Sequence, residues 1–379
     1  EANKSIEEGG SIYLASDADL EGESIAWHIA NQLGLNIQTT HRIMFNEITK
    51  QAIKNAILSP MTINMDKVNA QQTRRVLDRI VGYEVSPLLW KHFSKRTLSA
   101  GRVQTAALYM IVYRSRLIEN HVPEKYWVLS GDFELNKLGQ MTLSAHCCED
   151  DYEYKLTALD DTKAALEKIS HINDWTVSIE EKSVKKSPPP PFTTSSLQQE
   201  SYAILHINAK MTMKIAQELY ESGHITYMRT DCQNFSKDAR NMFQKYIIDT
   251  FGQSESQPRT FGKKMANAQE AHEAIRPTTV KTAQELNLTN LKAKLYDLIW
   301  KRSIASQMKQ ATYAEFTFKV CSLSLSTTTT TTITPNYAIY FKGTKNILVD
   351  PGFLVVLMPN TNTNTNYEYL KYKNLISQP

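Results

Sequence analysis

The sequence contains few cysteines and no long apolar segment, and these two absences exclude several classes of protein. Its four cysteines are too few, in 379 residues, for the dense disulfide framework of a small secreted domain. None of them belongs to a Cys-x-x-Cys pair, so we expect no structural zinc site. No apolar run approaches the ~20 residues that a membrane-spanning helix requires, and we expect no membrane partner.

Other recognisable signals are also absent. The N-terminal residues carry neither an initiator methionine nor the apolar region of a secretory signal. No Gly-Lys-Ser/Thr phosphate-binding loop occurs, so we expect no nucleotide cofactor. The hydrophobic fraction of 41% and the charged fraction of 22% are ordinary for globular proteins. A chain of this length predicts about two to four domains.

The net charge of +4 is too small to indicate a nucleic-acid partner, but it conceals an uneven distribution along the chain. Residues 1–62 hold four basic and eight acidic side chains, whereas residues 63–120 hold ten basic and four acidic ones. An acidic segment followed by a basic one favours a metal site beside a site for a polyanion. Solvated surface charge is the alternative, and the counts alone favour it.

Four carboxylates crowd into residues 17–23. Residues 11–15 before them predict a short buried strand, and residues 22–33 predict a helix, so the loop should lie where α/β sheets bind ligands. The carboxylates repel one another unless a cation neutralises them, and alternating oxygen ligands suit Mg²⁺. The alternative is an acidic first turn favoured by the helix dipole. The four carboxylates are those of Asp17, Asp19, Glu21 and Glu23.

The pattern of secondary structure changes after this acidic segment. Residues 63–120 look mainly helical, with Pro87 and Gly101 interrupting them. Residues 127–129 and 141–145 then have the pattern of strands.

A run of prolines within residues 187–191 must be extended, and we expect a domain boundary there. Beyond it, residues 209–222 predict a helix stopped by Gly223, and residues 224–229 predict a strand. Winged-helix units contain this order of helix, glycine and strand.

Two segments near the end of the chain have low sequence complexity. Residues 326–332 are rich in threonine, and residues 360–366 alternate asparagine with threonine. Neither offers an apolar face that could be buried. We expect an expanded hairpin loop at the first and a loop or insertion at the second.

Tyr227 is a candidate nucleophile among 18 tyrosines, most of which must be packing residues. A phenol with an ordinary pKa of ~10 is a poor nucleophile at neutral pH unless a cation favours the phenolate. Arg229 stands two residues further on, and in a strand it would point to the same face. Its guanidinium could hold a phosphate and stabilise developing charge. Taken alone, these residues favour a packing tyrosine over a nucleophile.

Two further motifs are basic. Residues 271–278 place His272 and Arg276 before a proline, an arrangement that can contact phosphate, although a surface loop is an equally good interpretation. Residues 71–79 and 98–104 combine arginines with polar amides, as contacts to phosphates and base edges require. A solvated helix face is the more ordinary interpretation of these two segments.

These motifs, in this order, resemble those of the type IA DNA topoisomerases, and specifically the bacterial topoisomerase I branch. The acidic motif resembles the second half of the Toprim metal site, and residues 42–49 resemble the segment that follows it. Residues 219–231 match the active-site tyrosine motif, and the resemblance extends over residues 11–310. It implies a multidomain α/β, α and β fold, arranged as a torus with a hole able to hold DNA.

The resemblance also implies five segments. They are a partial Toprim domain at residues 1–62, a helical DNA-groove domain at 63–120, a first pass through a β-rich hinge domain at 121–187, a winged-helix-like catalytic tyrosine domain at 188–315, and a second pass through the hinge domain, with the low-complexity loops, at 316–379. The family's first Toprim strand carries a catalytic glutamate and a nearby lysine that this chain does not contain. We therefore expect a fragment that lacks the start of the Toprim domain and the C-terminal region.

The function implied by the resemblance is ATP-independent relaxation of negatively supercoiled DNA. One strand would be cleaved through a 5′-phosphotyrosine, strand passage would follow, and the break would be rejoined. The implied catalytic residues are Tyr227, Arg229, His272 and Glu221, with Thr226 and Asp231 as supporting residues. The implied Mg²⁺ ligands are Asp17, Asp19 and Glu21, with Glu23 as a supporting residue. The implied DNA-binding residues are Arg74, Arg75, Asp78, Tyr83, Arg102, Gln104 and Arg276.

The implied partners are single-stranded and negatively supercoiled DNA. We expect a monomer that acts in the cytoplasm, at a nucleoid or at a viral replication site. A decatenating topoisomerase III-type enzyme and reverse gyrase stay open as alternatives within the family, and a catalytically incompetent module that binds single-stranded DNA stays open outside it. Leu20 and Cys232 depart from the family pattern, which usually has arginine at the first position and serine or threonine at the second.

Overall fold

The structure is a computed structural model, and it divides into two compact units. The described residues are 10–135, 139–149, 152–172, 175–262, 273–322, 338–358, 369–370 and 372–373. The first unit comprises residues 1–121, 189–253 and 258–307, and the second comprises residues 122–188, 254–257 and 308–379. The boundary between residues 188 and 189 therefore lies within the proline run. The five-segment organisation stays a prediction.

The first unit begins with a strand, a helix and a second strand. β1 (Tyr13–Leu14) pairs in parallel with β2 (His41–Arg42), and α1 (Leu20–Gln32) connects them. The strand is shorter than the five residues predicted for it. The helix begins two residues before its predicted start because the Asp19 side chain caps it, accepting a hydrogen bond from the Gly22 N–H. The acidic loop lies at the carboxyl end of β1, as predicted.

Three helices follow, and the last two confirm the helical pattern predicted for residues 63–120. They are α2 (Lys50–Leu58), α3 (Met65–Phe93) and α4 (Arg102–Glu119). Gly101 separates α3 from α4 as expected, but Pro87 lies inside α3, so the interruption predicted there is wrong. A proline removes one backbone hydrogen bond, and that loss does not end a helix of 29 residues.

The second unit is built on an antiparallel sheet. Its strands are β3 (Ser130–Leu135), β4 (Gly139–Glu149), β5 (Tyr152–Tyr154), β6 (Thr176–Lys186), β7 (Ala311–Cys321) and β8 (Ala338–Asp350). Their order is β3-β4-β8-β7-β6, with β5 paired to β4. The strand predicted at residues 127–129 is instead an isolated bridge between Trp127 and Leu156, whereas residues 141–145 lie in β4 as predicted.

Helix α5 (Leu159–Ser170) packs on this sheet through Ala165, which belongs to one apolar cluster with Ile339 of β8. A larger cluster on the sheet contains Leu143, Phe316, Phe318, Val320, Phe341 and Ile347. Alternate residues of β7 are buried, as the two-residue period of a strand requires.

Further helices form much of the rest of the first unit. Its helices are α6 (Thr194–Leu205), α7 (Ala209–Glu221), α8 (Lys237–Phe251) and α9 (Asn290–Ser306), and a 3₁₀ turn at Gln253–Glu255 follows α8. The prediction for α7 is confirmed: Gly223 follows the helix with a φ of 75°, which glycine adopts without strain. A one-turn helix, α10 (Leu354–Leu357), follows β8 in the second unit.

The segment after Gly223 is irregular and is not the strand predicted for residues 224–229. Its backbone bonds go to separate parts of the chain rather than to one partner strand. The Thr226 N–H donates to the Arg276 carbonyl, and the Tyr227 N–H donates to the Asn46 carbonyl. An isolated bridge joins Ile225 to Pro277. Residues 225–228 are all buried, so the apolar character of the segment reflects burial and not membership of a sheet.

The low-complexity tracts at residues 326–332 and 360–366 lie outside the described residues. Within the described part of the chain, no helix is long and apolar enough to cross a membrane.

Candidate active site

The acidic loop between β1 and α1 is tightly folded on itself. A Cβ at Gly22 would lie 2.0 Å from the Asp17 carbonyl oxygen, so only glycine fits there. The Ser16 hydroxyl donates to the Gly22 carbonyl at 2.6 Å. These contacts give the turn a defined shape, in which Glu21 is exposed and Glu23 is buried.

Arg42, at the end of β2, supports this loop from beneath and is completely buried. Its Nε donates to Glu23 Oε2 at 3.1 Å, and its Nη1 donates to the carbonyls of Leu14 and Ile43. Its Nη2 donates to the Asp17 carbonyl at 2.8 Å. A buried guanidinium is stable only when its donors are paired, so Arg42 fixes the loop backbone.

Sequence reasoning missed the role of Arg42. No local signal marks this role, because Arg42 follows the last carboxylate of the loop by 19 positions and only the fold brings the two together. Glu23 was expected to support the site, and its contact with Arg42 explains how: its other oxygen, Oε1, accepts the Asn64 N–H at 2.7 Å.

Tyr227 lies against the acidic loop. Its hydroxyl donates to Asp19 Oδ2 at 2.5 Å, and its ring packs edge-on against Tyr220 at 5.2 Å between centroids. The residue is 3% exposed. Burial, the hydrogen bond to Asp19 and the negative charges of Asp19 and Asp17 all raise the pKa of the Tyr227 phenol well above its ordinary value. The phenol therefore stays protonated at neutral pH in this arrangement.

Arg229 reaches the same carboxylate. Its Nη1 lies 3.6 Å from Asp19 Oδ2, and its side chain is 58% exposed. The sequence placed Tyr227 and Arg229 on one face by assuming a strand; the two side chains do converge, although no strand forms. The exposed guanidinium, unlike that of Arg42, is accessible to a ligand from solvent.

The predicted metal ligands do not converge on one point. Burial, and then the charge of Asp19, raise the pKa of Asp17, while Arg229 and Arg42 oppose the effect. Asp19 caps α1 with Oδ1 and binds Tyr227 with Oδ2. Glu21 is exposed and lies 3.7 Å from Arg74. Among the described residues, no three acidic, histidine or cysteine side chains are arranged to hold a metal.

The other residues expected near Tyr227 differ from one another in location and exposure. Glu221 is exposed at the end of α7, accepts a hydrogen bond from Gln217 at 2.7 Å, and lies close enough to Asp17 to help raise its pKa. Thr226 is buried and Asp231 is exposed. His272 lies outside the described residues.

The residues expected to contact DNA from the helical segment lie on the surface of α3 and α4. Arg102 Nε donates to Asp78 at 2.9 Å, and the Arg79 guanidinium lies over the Tyr83 ring at 5.5 Å. Gln104 donates to the Ser99 carbonyl, at the start of the turn into α4. The exposed members of the predicted set are Arg74, Arg75, Asp78, Tyr83, Arg102 and Gln104.

Arg276 does not join them. It is 5% exposed, its Nη2 binds Glu47 at 3.0 Å, and its Nε binds Glu273 at 2.6 Å. Its Nη1 donates to the Pro277 carbonyl. The expectation that Arg276 offers its charge to DNA is not met in this structure, because the guanidinium is buried and bound by protein acceptors.

Family models match most of the sequence. A Toprim domain model matches residues 1–48, and a DNA topoisomerase model matches residues 62–374. The chain belongs to the type IA DNA topoisomerase family. Its motifs and relatives indicate the bacterial topoisomerase I-like branch of these enzymes.

Among similar proteins, DNA topoisomerase 1 of Escherichia coli is 42% identical over 325 residues, which cover 84% of this chain and 37% of the relative. DNA topoisomerase 1 of Haemophilus influenzae is 44% identical over 316 residues, which cover 82% and 36%. Full-length topoisomerase I from Thermotoga maritima has a similar structure, with a TM-score of 0.75 and 36% identity, covering 96% of this chain and 57% of that one. This topoisomerase chain thus has the multidomain fold of its family and spans little more than a third of those two sequence relatives.

We expect Arg42→Met to lower the free energy of unfolding of this topoisomerase chain by about 3–5 kcal/mol, because Glu23 would be left buried beside an apolar side chain. Urea denaturation of the full chain measures the change. Arg229→Met is the matched control, since it removes an exposed partner of Asp19 and should change stability by less than about 1 kcal/mol. Equal losses in the two variants would contradict the structural role of Arg42.

Proposed function

We propose that this chain is part of an enzyme that relaxes negatively supercoiled DNA without ATP, through a transient single-strand break held on Tyr227. The contact between the Tyr227 hydroxyl and Asp19, with Arg229 beside them, is the observation that carries the proposal. It unites a nucleophile, a proton acceptor and an accessible cation. Membership of the topoisomerase family supports DNA as the substrate.

In the cleavage step, the Tyr227 Oη attacks the phosphorus of a single-stranded phosphodiester. The bond between phosphorus and the 3′ oxygen breaks, and a 5′-phosphotyrosine forms. The 3′ oxygen takes up a proton and leaves as a hydroxyl. Asp19 Oδ2, the acceptor of the phenol hydrogen bond, is positioned to take the phenol proton. Religation reverses these steps, so the bond energy is retained and no nucleotide is consumed.

Arg229 supplies the positive charge that the attack requires. Its guanidinium is exposed beside the reacting oxygen and would bind the scissile phosphate through paired N–H groups. It also lowers the pKa of Tyr227, opposing the effect of the two aspartates. His272 as a phosphate ligand, and Glu221, Thr226 and Asp231 as further site residues, stay proposals that rest on the motif resemblance.

Mg²⁺ is the proposed cofactor, with Asp17, Asp19 and Glu21 as its ligands. Hard carboxylate oxygens suit this ion, and the proposal rests on that chemistry and on the motif resemblance, because the three side chains do not converge in this arrangement. When bound, the ion would supply positive charge near the phosphate during strand passage and religation. Glu23 takes no direct part, because Arg42 and the Asn64 N–H already bind its carboxylate.

The exposed basic side chains of α3 and α4 are the proposed binding site for the single strand. Arg74 and Arg75 would bind phosphates, while Tyr83, with its ring 69% exposed, offers a face for base stacking. Action as a monomer in the cytoplasm is part of the same proposal.

We expect Tyr227→Phe to abolish the covalent adduct between the full-length protein and a labelled single-stranded oligonucleotide on denaturing gels. Its affinity for that oligonucleotide should stay within about twofold, because only the nucleophilic oxygen is lost. Tyr220→Phe is the matched control: it removes the hydroxyl from the tyrosine whose ring packs on Tyr227, and the adduct should still form. An adduct that survives Tyr227→Phe refutes the assignment, and the absence of an adduct from the unaltered protein favours the binding-only alternative.

Asp17→Asn should weaken Mg²⁺ binding on the order of tenfold, or about 1.4 kcal/mol, in calorimetric titration of the full-length protein. Because burial raises the pKa of Asp17, protonation should compete with the cation, and affinity should fall as the pH is lowered through that raised value. Asp249→Asn removes an exposed carboxylate from α8 and should leave the titration unchanged. An unchanged titration of Asp17→Asn would remove this residue from the ligand set.

Arg75→Gln should weaken binding of single-stranded DNA and reduce the slope of log affinity against log salt by about 0.7, the effect of one lost phosphate contact. Fluorescence anisotropy at several salt concentrations measures the slope. Lys54→Gln removes an exposed charge from α2 and tests whether any lost cation has this effect. If both variants change the slope equally, α3 is not a specific strand-binding surface.

A further inference from the structure

The short segment at residues 46–49, between β2 and α2, contacts the tyrosine-bearing part of the first unit at three points. The Tyr227 N–H donates to the Asn46 carbonyl at 2.8 Å. Glu47 binds Arg276 at 3.0 Å. A Cβ at Gly223 would lie 2.7 Å from the Ile48 carbonyl oxygen, so the two backbones approach more closely than a side chain would permit. We call residues 46–49 the docking segment.

The ion pair between Glu47 and Arg276 is the charged contact of this docking segment. Glu47 Oε2 accepts the bond from Arg276, and Glu47 Oε1 accepts one from the Thr49 hydroxyl at 3.1 Å. The side chains are 23% and 6% exposed, respectively. Both carboxylate oxygens are therefore held in place, and limited exposure to water strengthens a charge-assisted hydrogen bond.

Arg276 is hydrogen-bonded directly to Thr226, the residue before the proposed nucleophile Tyr227. The Thr226 N–H donates to the Arg276 carbonyl at 2.9 Å, and the Arg276 N–H donates to the Thr226 hydroxyl at 3.0 Å. The same hydroxyl donates to the Ala274 carbonyl. A displacement of Arg276 must therefore displace Thr226 and, with it, the backbone of Tyr227.

We propose that Glu47 and Arg276 are positioning residues that form a clasp, which holds Tyr227 against the acidic loop and must open when the bound strand ends separate. This inference rests on the proposed function in that it gives Tyr227 the role of nucleophile. It replaces the expectation that Arg276 binds DNA, and it assigns a role to Glu47, which lies in the segment that resembles the family but was given no role from the sequence.

Glu47→Gln tests the clasp without leaving an unpaired buried charge, because Arg276 retains Glu273 and the Pro277 carbonyl. Glu273→Gln is the matched control: it removes the other carboxylate from the same guanidinium but leaves the contact with the docking segment. Hydrogen exchange of the full-length protein, followed by mass spectrometry, reads the Tyr227 amide within peptides that span residues 225–229.

We expect Glu47→Gln to accelerate exchange of the Tyr227 amide about tenfold relative to the unaltered protein, because a charge-assisted bond has been lost. Glu273→Gln should accelerate it by less than about twofold. Exchange in α8, which does not touch the docking segment in the contacts described, serves as the internal reference. Equal acceleration in both variants, or acceleration throughout the first unit, would show a purely structural role and overturn the inference.

A second measurement follows the reaction. In Glu47→Gln we expect religation of a preformed adduct to slow several-fold while the rate of cleavage changes little, so that the covalent adduct accumulates. Equal slowing of the two steps would contradict a clasp that governs separation of the ends. If the unaltered protein forms no adduct, the proposed function fails, and the exchange measurement alone still decides whether Glu47 and Arg276 hold Tyr227.

Discussion

The carboxylate of Asp19 is the group on which the rest of the site depends. One of its oxygens caps α1, and the other accepts a hydrogen bond from the hydroxyl of Tyr227, a residue 208 positions further along the chain. The same side chain thus sets the start of a helix and the position of the proposed nucleophile. The acidic loop can present Asp19 in this way only because Gly22 allows the backbone to turn beside Asp17.

Four arginines of the first unit fall into two groups, buried and exposed, and the two groups have different roles. Arg42 and Arg276 are buried, so their charge is used within the protein: Arg42 binds one carboxylate and three backbone carbonyls, and Arg276 binds two carboxylates and one carbonyl. Arg229 and Arg74 are exposed, and each lies beside an acidic side chain at more than 3.5 Å. Only the second group can exchange its protein contact for a phosphate at low cost.

Residue patterns predicted those parts of the structure that local physics controls. The seven-residue acidic motif lies after a short strand in which only Leu14 is buried, and the helix at residues 209–221 ends before a glycine with positive φ. These predictions succeeded because capping and hydrophobic periodicity depend on neighbours within a few residues. They failed at Pro87, where the loss of one backbone hydrogen bond does not end a long helix, and at the segment after Gly223, whose backbone bonds go to distant parts of the chain.

The sequence by itself determined the family, the order of the motifs and the chemistry that each motif can perform. It could not decide which charges are buried, because burial depends on segments that are distant along the chain. Tertiary structure alone made Arg42 a support of the acidic loop and removed Arg276 from the surface. It also brought Glu47 to the tyrosine-bearing segment, since a contact between residues 229 positions apart has no local signature.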